Sequence, residues 1–561
     1  MIFTRELSVA QLEYIEVTLF SLPGARSKGV DLRMSGRVRK TIIAVIVVVA
    51  VTSAAVAVTQ INRADSVGRL NRDLESRLDR AQERISELEE ERRSEDDDPL
   101  GALLGDGDGG LADLLGGDIS DLLGGNSARL IDCLAGGGGG TDALDGLLGD
   151  IAEGRAGDPE DVLDNLFGGL GGGSSDGPAR SQIPKISSAV EDIRKLKFRE
   201  EVDVVFMAPR RLARRAARLF LADYPASVAR AEQKLLGALG AIPRNMNLRA
   251  TTKKLLKSQV AGFYVPKDKT LFVPGNPKKD LSAIEKTVIA HELEHALADQ
   301  RLDLPIPDDT DPTRMDESIA ALSLVEGDAT LTMQRYSLAA IPMFEQLTIL
   351  SDPAYAASQQ ALEGIPTYLV EQLQFPYIDG LNFACNLHKK GGWKAVNKAY
   401  DDPPSTTAQV LFPARYRRGE DGVPVRPARG PGAGWNESFD SSFGAANLMW
   451  LFKAPGGNED AALSDPLDRV GAWGGGRVSM WSRSGDVALG VTLVQRPGET
   501  GLCESVAAWY EAAFDDDADA ATRGSEVIAL EGSQDAVLVC SEDKVRLGIG
   551  PDLATARAVS R

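Results

Sequence analysis

Histidine and cysteine are scarce in this chain, and their scarcity limits the chemistry it can carry. Its 561 residues include three histidines and four cysteines. The cysteines are Cys133, Cys385, Cys503 and Cys540. None of them forms a CxxC pair, so neither a cysteine zinc site nor a thioredoxin-like redox motif is indicated. Cys503 with Cys540 and Cys133 with Cys385 are candidate disulfides; the alternative is that the thiols are buried and free.

Basic residues are also fewer than acidic ones. The chain has 62 basic and 82 acidic residues, and its formal net charge is −20. Proteins that bind nucleic acid usually present a basic patch or stripe to the phosphates. This sequence has no such stripe, and its negative charge is concentrated between residues 95 and 182. We therefore expect no nucleic-acid partner and attribute the charge to solubility and chain expansion.

One long uncharged run stands near the N-terminus. Residues 41–59 (TIIAVIVVVAVTSAAVAVT) have the length of a helix that crosses a bilayer. The basic residues before it are Arg33, Arg37, Arg39 and Lys40. Their position predicts a single-pass helix in the cell membrane, with residues 1–40 in the cytoplasm. The alternative is a cleaved signal peptide and a secreted protein, since residues 55–57 (AVA) resemble a small-x-small cleavage site. Both interpretations place the bulk of the chain outside the cytoplasm.

Two segments of simple pattern follow the predicted membrane helix. Residues 61–94 repeat apolar or small residues every seven positions, which predicts a short coiled coil and a homodimer; a single solvated helix is the alternative. The two series are Val67, Leu74, Ala81 and Leu88, and Asn71, Leu78 and Ile85. Residues 95–182 are rich in glycine, aspartate and leucine and cannot bury a core, so they predict a disordered tether.

The remaining residues are enough for a sizeable core and predict an α+β fold. Residues 183–456 predict a mainly helical domain with a short sheet, and residues 457–561 a small α+β region. The first is predicted to contain strands at 198–207, 260–265 and 270–273, and helices over 209–239 and from Ser282 to about Gln300. The second is predicted to contain strands at 478–481, 487–494, 527–530, 536–540 and 545–549, and a helix at 504–514.

The helix that begins at Ser282 carries two of the three histidines. Ser282 and Glu285 match the capping-box pattern that opens a helix. His291 and His295 are four residues apart, so their side chains project from one face, about 40° and one turn from each other. Two such imidazoles can bind one zinc ion, and Glu292 is then placed to reach a water on that ion. The alternative is an ordinary helix whose histidines face solvent or core.

A catalytic zinc site needs a third protein ligand. Glu326 is the candidate, because a carboxylate within a long apolar-patterned segment is unusual unless it has a partner; the alternative is a solvated outer face. His388 is a poor candidate, since its surroundings predict an exposed helix end. Asp328 and Asp299 compete as hydrogen-bond partners of a ligand imidazole, with a surface carboxylate as the alternative. Gly327 is expected to loosen the helix between Glu326 and Asp328.

Further blocks stand in order along the chain. They are residues 260–266 (VAGFYVP), 290–300 (AHELEHALADQ), 324–330 (LVEGDAT), 375–377 (FPY), 391–393 (GGW), 403–405 (PPS) and 473–477 (WGGGR). Over roughly residues 185–545, this series resembles a family of bacterial extracytoplasmic metallopeptidases of gluzincin type. The resemblance implies a zincin-like domain, with zinc on His291, His295 and Glu326 and with Glu292 as general base.

The sequence departs from the family pattern at four positions. Val265 and Gly476 stand where the pattern has an aspartate, Ala408 where it has an acid and Phe412 where it has a histidine. These departures leave the predicted metal ligands intact. They weaken any functional role for the C-terminal block.

Together these features predict a membrane-anchored, extracytoplasmic zinc metallopeptidase, whose peptide or protein substrate follows mainly from the resemblance. Glu292 would take a proton from water and pass it to the leaving amine. Tyr264, Tyr336 and Tyr377 are all candidate oxyanion donors. Two alternatives remain, a zinc amidase that acts on cell-wall material and a non-catalytic envelope scaffold with a zinc site. Glu292 argues against the scaffold, because a structural site has no use for that acid.

Overall fold

The computed structural model describes residues 178–305, 311–342, 345, 357–358, 360–514, 527–530 and 534–561. The predicted cytoplasmic segment, membrane helix and coiled coil lie outside the described residues, as does the predicted tether up to residue 177. Within the described ranges, no helix combines the length and the hydrophobicity needed to cross a bilayer. The described part is an α+β structure of many helices and small sheets, which confirms the predicted class at that level.

Helices occur along the whole of the described chain. In chain order they are α1 (Ala179–Arg194), α2 (Pro209–Asp223), α3 (Ala226–Ala238), α4 (Leu248–Gln259), α5 (Ala283–Leu302), α6 (Met315–Ala340), α7 (Thr367–Asp401), α8 (Thr407–Leu411), α9 (Pro413–Arg417), α10 (Ala445–Lys453), α11 (Pro466–Arg469), α12 (Leu502–Phe514) and α13 (Leu553–Val559). Short 3₁₀ turns lie at Pro266–Asp268, Pro312–Arg314, Pro455–Gly457, Glu459–Ala461 and Val470–Ala472.

The described strands form a small mixed sheet and a larger antiparallel one. They are β1 (Asp203–Met207), β2 (Phe263–Val265), β3 (Thr270–Pro274), β4 (Asn436–Ser442), β5 (Trp473–Arg483), β6 (Asp486–Gln495), β7 (Val527–Leu530), β8 (Asp535–Cys540) and β9 (Lys544–Gly550). The first sheet has the order β1-β3-β2, with β1 parallel and β2 antiparallel to β3. The second has the order β4-β5-β6-β9-β8-β7.

Strand β1 is shorter than the sequence predicts, because side chains take the backbone amides of its first residues. The amide of Phe198 donates to Glu191 Oε1 at 2.8 Å. The amides of Arg199 and Glu200 donate to Gln300 Oε1 at 2.8 and 3.2 Å. These donors are therefore not available to a sheet neighbour, and the strand begins only at Asp203. Strand β2 is shortened in a similar way, since the amide of Val260 still bonds to the last turn of α4.

Helix α5 begins as the capping box predicts. The Ser282 hydroxyl accepts from the Glu285 amide, and the Glu285 carboxylate accepts from the Ser282 amide at 2.9 Å. The helix runs on to Leu302, and residues 289–294 are all buried, on every side of the helix. A helix enclosed in this way holds its side chains in fixed positions, since packing restricts their rotamers.

Helices α6 and α7 cross at two glycines. A Cβ atom on Gly327 would lie 2.1 Å from the carbonyl oxygen of Gly380, and one on Gly380 would lie 2.3 Å from that of Ser323. Neither position therefore has room for a side chain. The expectation that Gly327 loosens the helix is wrong, because α6 is continuous through it. Its role is to let the two backbones approach closely.

The larger sheet shares its core with the helices. Strand β4 pairs with β5 and starts at Asn436, ahead of the domain boundary predicted at residue 457. Buried residues from Leu235 in α3 to Ile549 in β9 belong to one apolar cluster. That division therefore cuts through a continuous core.

A disulfide joins Cys503 of α12 to Cys540 of β8, which confirms the first predicted pairing and excludes free thiols at these two positions. The second predicted pairing involves Cys133, which lies outside the described residues. The disulfide ties the helix that follows β6 to the sheet. The two cysteines are 37 positions apart. A disulfide that closes such a segment stabilises the folded state mainly by restricting the unfolded chain.

Candidate metal centre

Three predicted ligands meet between helices α5 and α6. His291 Nε2 lies 3.1 Å from His295 Nε2 and 3.1 Å from Glu326 Oε2. His295 Nε2 lies 3.4 Å from the same carboxylate oxygen. The side chains are 10–15% exposed, so the site is partly buried with an open side. The sequence-based assignment of Glu326 to the histidine pair is therefore matched by the geometry.

These spacings fit one bound cation. Donor atoms about 2.0–2.2 Å from a tetrahedral ion lie about 3.3–3.6 Å from one another. The three distances, 3.1, 3.1 and 3.4 Å, are close to that range. Two imidazole nitrogens and a carboxylate oxygen that face a single point form a set of electron-pair donors. Among the described residues, this is the group of His, Cys, Asp and Glu side chains that can hold a metal ion.

The ligands also shift one another's protonation. Burial lowers the pKa of His295, but the charge and hydrogen bond of Glu326 outweigh that effect and raise the pKa to about 10. Burial alone would raise the pKa of Glu326, yet the neighbouring imidazoles hold it well below its usual range. Glu326 is therefore an anion at neutral pH, which is the form that binds a metal ion, whereas His295 has to release its proton when an ion binds.

Glu292 lies beside the ligands, against the end of strand β2. A Cβ atom on Gly262 would come within 3.3 Å of Glu292 Cγ, so the backbone there approaches the side chain closely. The residue is 8% exposed. Burial raises the pKa of Glu292, while the two histidines oppose the shift. A carboxylate with a raised pKa accepts a proton more readily than an exposed one.

The three candidate tyrosines differ in their surroundings. Tyr377 of α7 stacks beside His291, with ring centroids 6.1 Å apart, and its hydroxyl hydrogen-bonds to Glu326. The charge of Glu326 raises the pKa of Tyr377 well above its ordinary value, so the hydroxyl keeps its proton. The hydroxyl of Tyr264 instead donates to Asp299 Oδ2 at 2.8 Å. Tyr336 is buried in an apolar cluster. Tyr377 is thus the candidate at the site.

No protein-family model, curated protein or solved structure matches this chain.

Neither aspartate proposed to orient an imidazole does so. Asp328 is buried and accepts from Arg194 Nη2 at 2.8 Å and from the Tyr400 hydroxyl at 3.0 Å. Asp299 accepts from Tyr264. In the described part of the chain, Nδ1 of both ligand histidines is buried and has no hydrogen-bond partner. Asp328 projects away from the ligands because two residues turn a helix by about 200°.

His388 is not part of the ligand group, and although it lies close to the break in α7 at Gly391, as the predicted helix end implies, it is not exposed. It is half-buried in α7, and its ring meets Trp393 edge-on at 4.6 Å. Arg335 Nη2 lies 3.2 Å from its Nδ1. Sequence reasoning missed this packing because the flanking Lys389 and Lys390 are exposed and conceal the buried face.

Arg194 and Glu294 are two further buried residues that the sequence reasoning missed. Arg194 Nε lies 3.1 Å from Glu294 Oε1, and both side chains are fully buried. Glu294 stands between His291 and His295, where its position alone gives no sign of burial. An arginine at the end of an ordinary helix gives no signal either, since most such side chains are solvated.

Proposed function

We propose that this chain is a zinc-dependent metallopeptidase that hydrolyses peptide bonds with Glu292 as general base. The observation that carries the proposal is the convergence of His291, His295 and Glu326, with the buried Glu292 carboxylate close enough to interact electrostatically with all three. A structural zinc site has four protein ligands, whereas a catalytic site has three and keeps one position open. Three ligands and an adjacent buried carboxylate fit the catalytic type.

Zinc is the metal that this donor set favours. Two imidazoles and one carboxylate form one of the common catalytic zinc sites. When bound, zinc polarises the substrate carbonyl and lowers the pKa of water towards about 7. An all-oxygen site would instead favour calcium or magnesium. The ligands supply two nitrogens and one oxygen, so zinc is the better match.

Glu292 would move the proton. Its raised pKa suits a base that accepts a proton from the attacking water and then donates it, as a neutral acid, to the leaving amine. The backbone of Tyr264 hydrogen-bonds to the Glu292 carboxylate, which restrains the rotation of that group. A fixed base avoids the entropy that would otherwise be lost on reaching the transition state.

Tyr377 would stabilise the developing charge on the substrate oxygen. Its hydroxyl is protonated and hydrogen-bonds to the ligand Glu326, and the residue is 43% exposed. Such a donor can turn towards a substrate oxygen once substrate arrives. A single oxyanion donor is worth about 10²–10³ in kcat.

Strand β2 supports a peptide as substrate. It pairs with β3 on one side only in the described sheet, and it precedes the helix that carries Glu292. An extended peptide can add to the free edge of such a strand through backbone hydrogen bonds. A scissile bond aligned in this way would pass close to the general base.

The proposal also includes a location outside the cytoplasm, where a single membrane helix at residues 41–59 would anchor the protein. The disulfide between Cys503 and Cys540 supports it, because disulfides persist in oxidising compartments and are rare in the cytosol. The uncharged run and the basic residues before it supply the anchor. A homodimer through residues 61–94 remains a prediction from the heptad pattern.

The deciding experiment replaces Glu292 by glutamine in the full-length chain. Glu292→Gln should retain zinc and fold but lose peptide hydrolysis by a factor of about 10²–10⁴. Glu285→Gln is the matched control, since it lies on the same helix and glutamine still completes a capping box. Its activity should stay near that of the wild type.

The same assay separates the alternatives. Cleavage of cell-wall amides and not of a broad peptide library would favour the zinc amidase. A zinc-loaded wild-type protein that hydrolyses neither would favour the non-catalytic scaffold. An unchanged rate in Glu292→Gln would contradict its role as general base.

A further inference from the structure

Arg194, the last residue of α1, contacts both helices that carry the metal ligands. Its guanidinium is fully buried. Nε lies 3.1 Å from Glu294 Oε1 on α5, and Nη2 lies 2.8 Å from Asp328 Oδ2 on α6. A single planar cation therefore bridges the two helices through charged hydrogen bonds, which are stronger and shorter than neutral ones.

The bridged carboxylates are close neighbours of the ligands in sequence. Glu294 directly precedes His295, and Asp328 follows Glu326 by two residues. Adjacent residues are about 100° apart around a helix and about 1.5 Å apart along it, and the helical backbone is stiff. A guanidinium that sets the spacing of the two carboxylates therefore also sets the spacing and rotation of the two ligand-bearing turns.

A third helix holds the guanidinium in place. Trp393, Asn397 and Tyr400 of α7 are spaced four and three residues apart, so they share one face of that helix. The Trp393 ring lies 4.3 Å below the Arg194 guanidinium carbon, and Asn397 Oδ1 accepts from Nη2 at 2.9 Å. The Tyr400 hydroxyl donates to Asp328 at 3.0 Å.

The direction of that face depends on a break in α7. Gly391 and Gly392 leave the helical conformation, and Gly392 has φ 63°, which favours glycine. The residues beyond the break, Trp393 among them, therefore follow a new helix direction. This arrangement fixes Arg194 from a side that neither ligand helix provides.

We propose that Arg194 is a positioning residue for the metal centre. Through Glu294 and Asp328 it sets the distance between His295 on α5 and Glu326 on α6, and so sets the affinity of the site for its ion. The inference rests on the proposed metal site but not on the reaction catalysed there. Metal sites need ligand distances correct to about 0.2 Å, so a small shift of one helix weakens binding.

The test measures zinc affinity in Arg194→Met and Asp328→Asn of the full-length chain, by competition with a chromophoric chelator. Each variant has a matched control. Arg415→Met removes another buried arginine, which bonds to backbone carbonyls near Trp473, and Asp316→Asn removes another buried aspartate of α6, which bonds to Thr407. The absorption spectrum of the cobalt-substituted protein reports ligand geometry directly.

The zinc Kd should rise about tenfold or more in Arg194→Met and Asp328→Asn, with an altered cobalt spectrum. The two controls should melt at lower temperature yet keep the wild-type Kd within about twofold and the wild-type spectrum. Arg194→Lys keeps the charge but not the planar fork, so its Kd should lie between those of wild type and Arg194→Met.

Wild-type Kd and spectrum in folded Arg194→Met or Asp328→Asn would overturn the proposal, since Arg194 would then be structural only. If Arg194→Met does not fold, Asp328→Asn decides, because it preserves shape. Wild-type protein that binds zinc but cleaves no peptide would contradict the proposed function, and the variant Kd values would still decide the role of Arg194. If His291→Ala binds zinc as tightly as the wild type does, both the proposed function and the proposed role of Arg194 would be overturned.

Discussion

Glu326 Oε2 lies 3.1 Å from His291 Nε2, although the two residues are 35 positions apart and on different helices. This contact adds a carboxylate to the histidine pair and completes a group of three side chains that can hold a metal ion. It forms because α5 and α6 pack against each other, with α6 held close to α7 by the crossing at Gly327 and Gly380.

Glu326→Gln should abolish most zinc binding while the fold is kept. A neutral amide is a much weaker zinc ligand than a carboxylate, and even a neighbour of a ligand accounts for about 10–100-fold in affinity, so we expect a loss of about 100-fold or more. Isothermal titration with zinc measures it. Glu317→Gln, at the more exposed start of the same helix, should bind zinc as the wild type does. Equal affinity in both variants would remove Glu326 from the ligand set.

Tyr377→Phe should lower kcat for peptide hydrolysis by about 10²-fold, with little change in KM or zinc content. Phenylalanine keeps the ring beside His291 and removes only the hydroxyl. Steady-state kinetics on the zinc-loaded protein measure kcat and KM separately. Tyr264→Phe is the control, because that hydroxyl bonds to Asp299 and not to a ligand. A larger loss in the control would assign the oxyanion donor to Tyr264.

Gly327→Ala should destabilise the protein by about 2–3 kcal/mol, as overpacking of a close contact does. Alanine is otherwise favoured over glycine in a helix by about 1 kcal/mol, so the sign is decided by the clash with the Gly380 carbonyl. Urea unfolding monitored by circular dichroism measures the change. Gly471→Ala is the control, since its added Cβ meets nothing within 4 Å. A stabilised Gly327→Ala would show that the two helices do not approach this closely.

The stability of the protein should fall between pH 6.5 and 4 in a way that depends on His388. Burial and the charge of Arg335 lower the pKa of His388 to about 4, whereas in the unfolded chain it is about 6.5. The unfolded state thus binds more protons in this window, and the stabilisation that is complete above the unfolded pKa is lost as the pH falls.

Thermal melts of wild type and His388→Gln at several pH values isolate the contribution of His388. The melting temperature of the variant should decline less between pH 7 and pH 4.5 than that of the wild type. Other groups titrate in both proteins and cancel in the comparison. Parallel curves would show that His388 has the same pKa in the folded and the unfolded chain.

The local features were largely predictable from sequence. The capping box at Ser282, the helix that follows it and the single-face placement of His291 and His295 depend on interactions within a few residues. Strands β5, β6, β8 and β9 follow from alternating or β-branched runs in the same way. Strand β1 was predicted too long, because Glu191 and Gln300 capture its first amides from elsewhere in the chain.

By itself, the sequence determined which residues can bind a metal ion, which acid lies next to them on the helix, and which cysteines are available to pair. Helical periodicity and short-range capping are encoded over a few residues, so they can be predicted without a fold. Only the tertiary structure decided which tyrosine lies at the site, where Asp328 points, and that Arg194 bridges the two ligand helices. These depend on contacts between residues far apart in the chain, which form only when the helices pack.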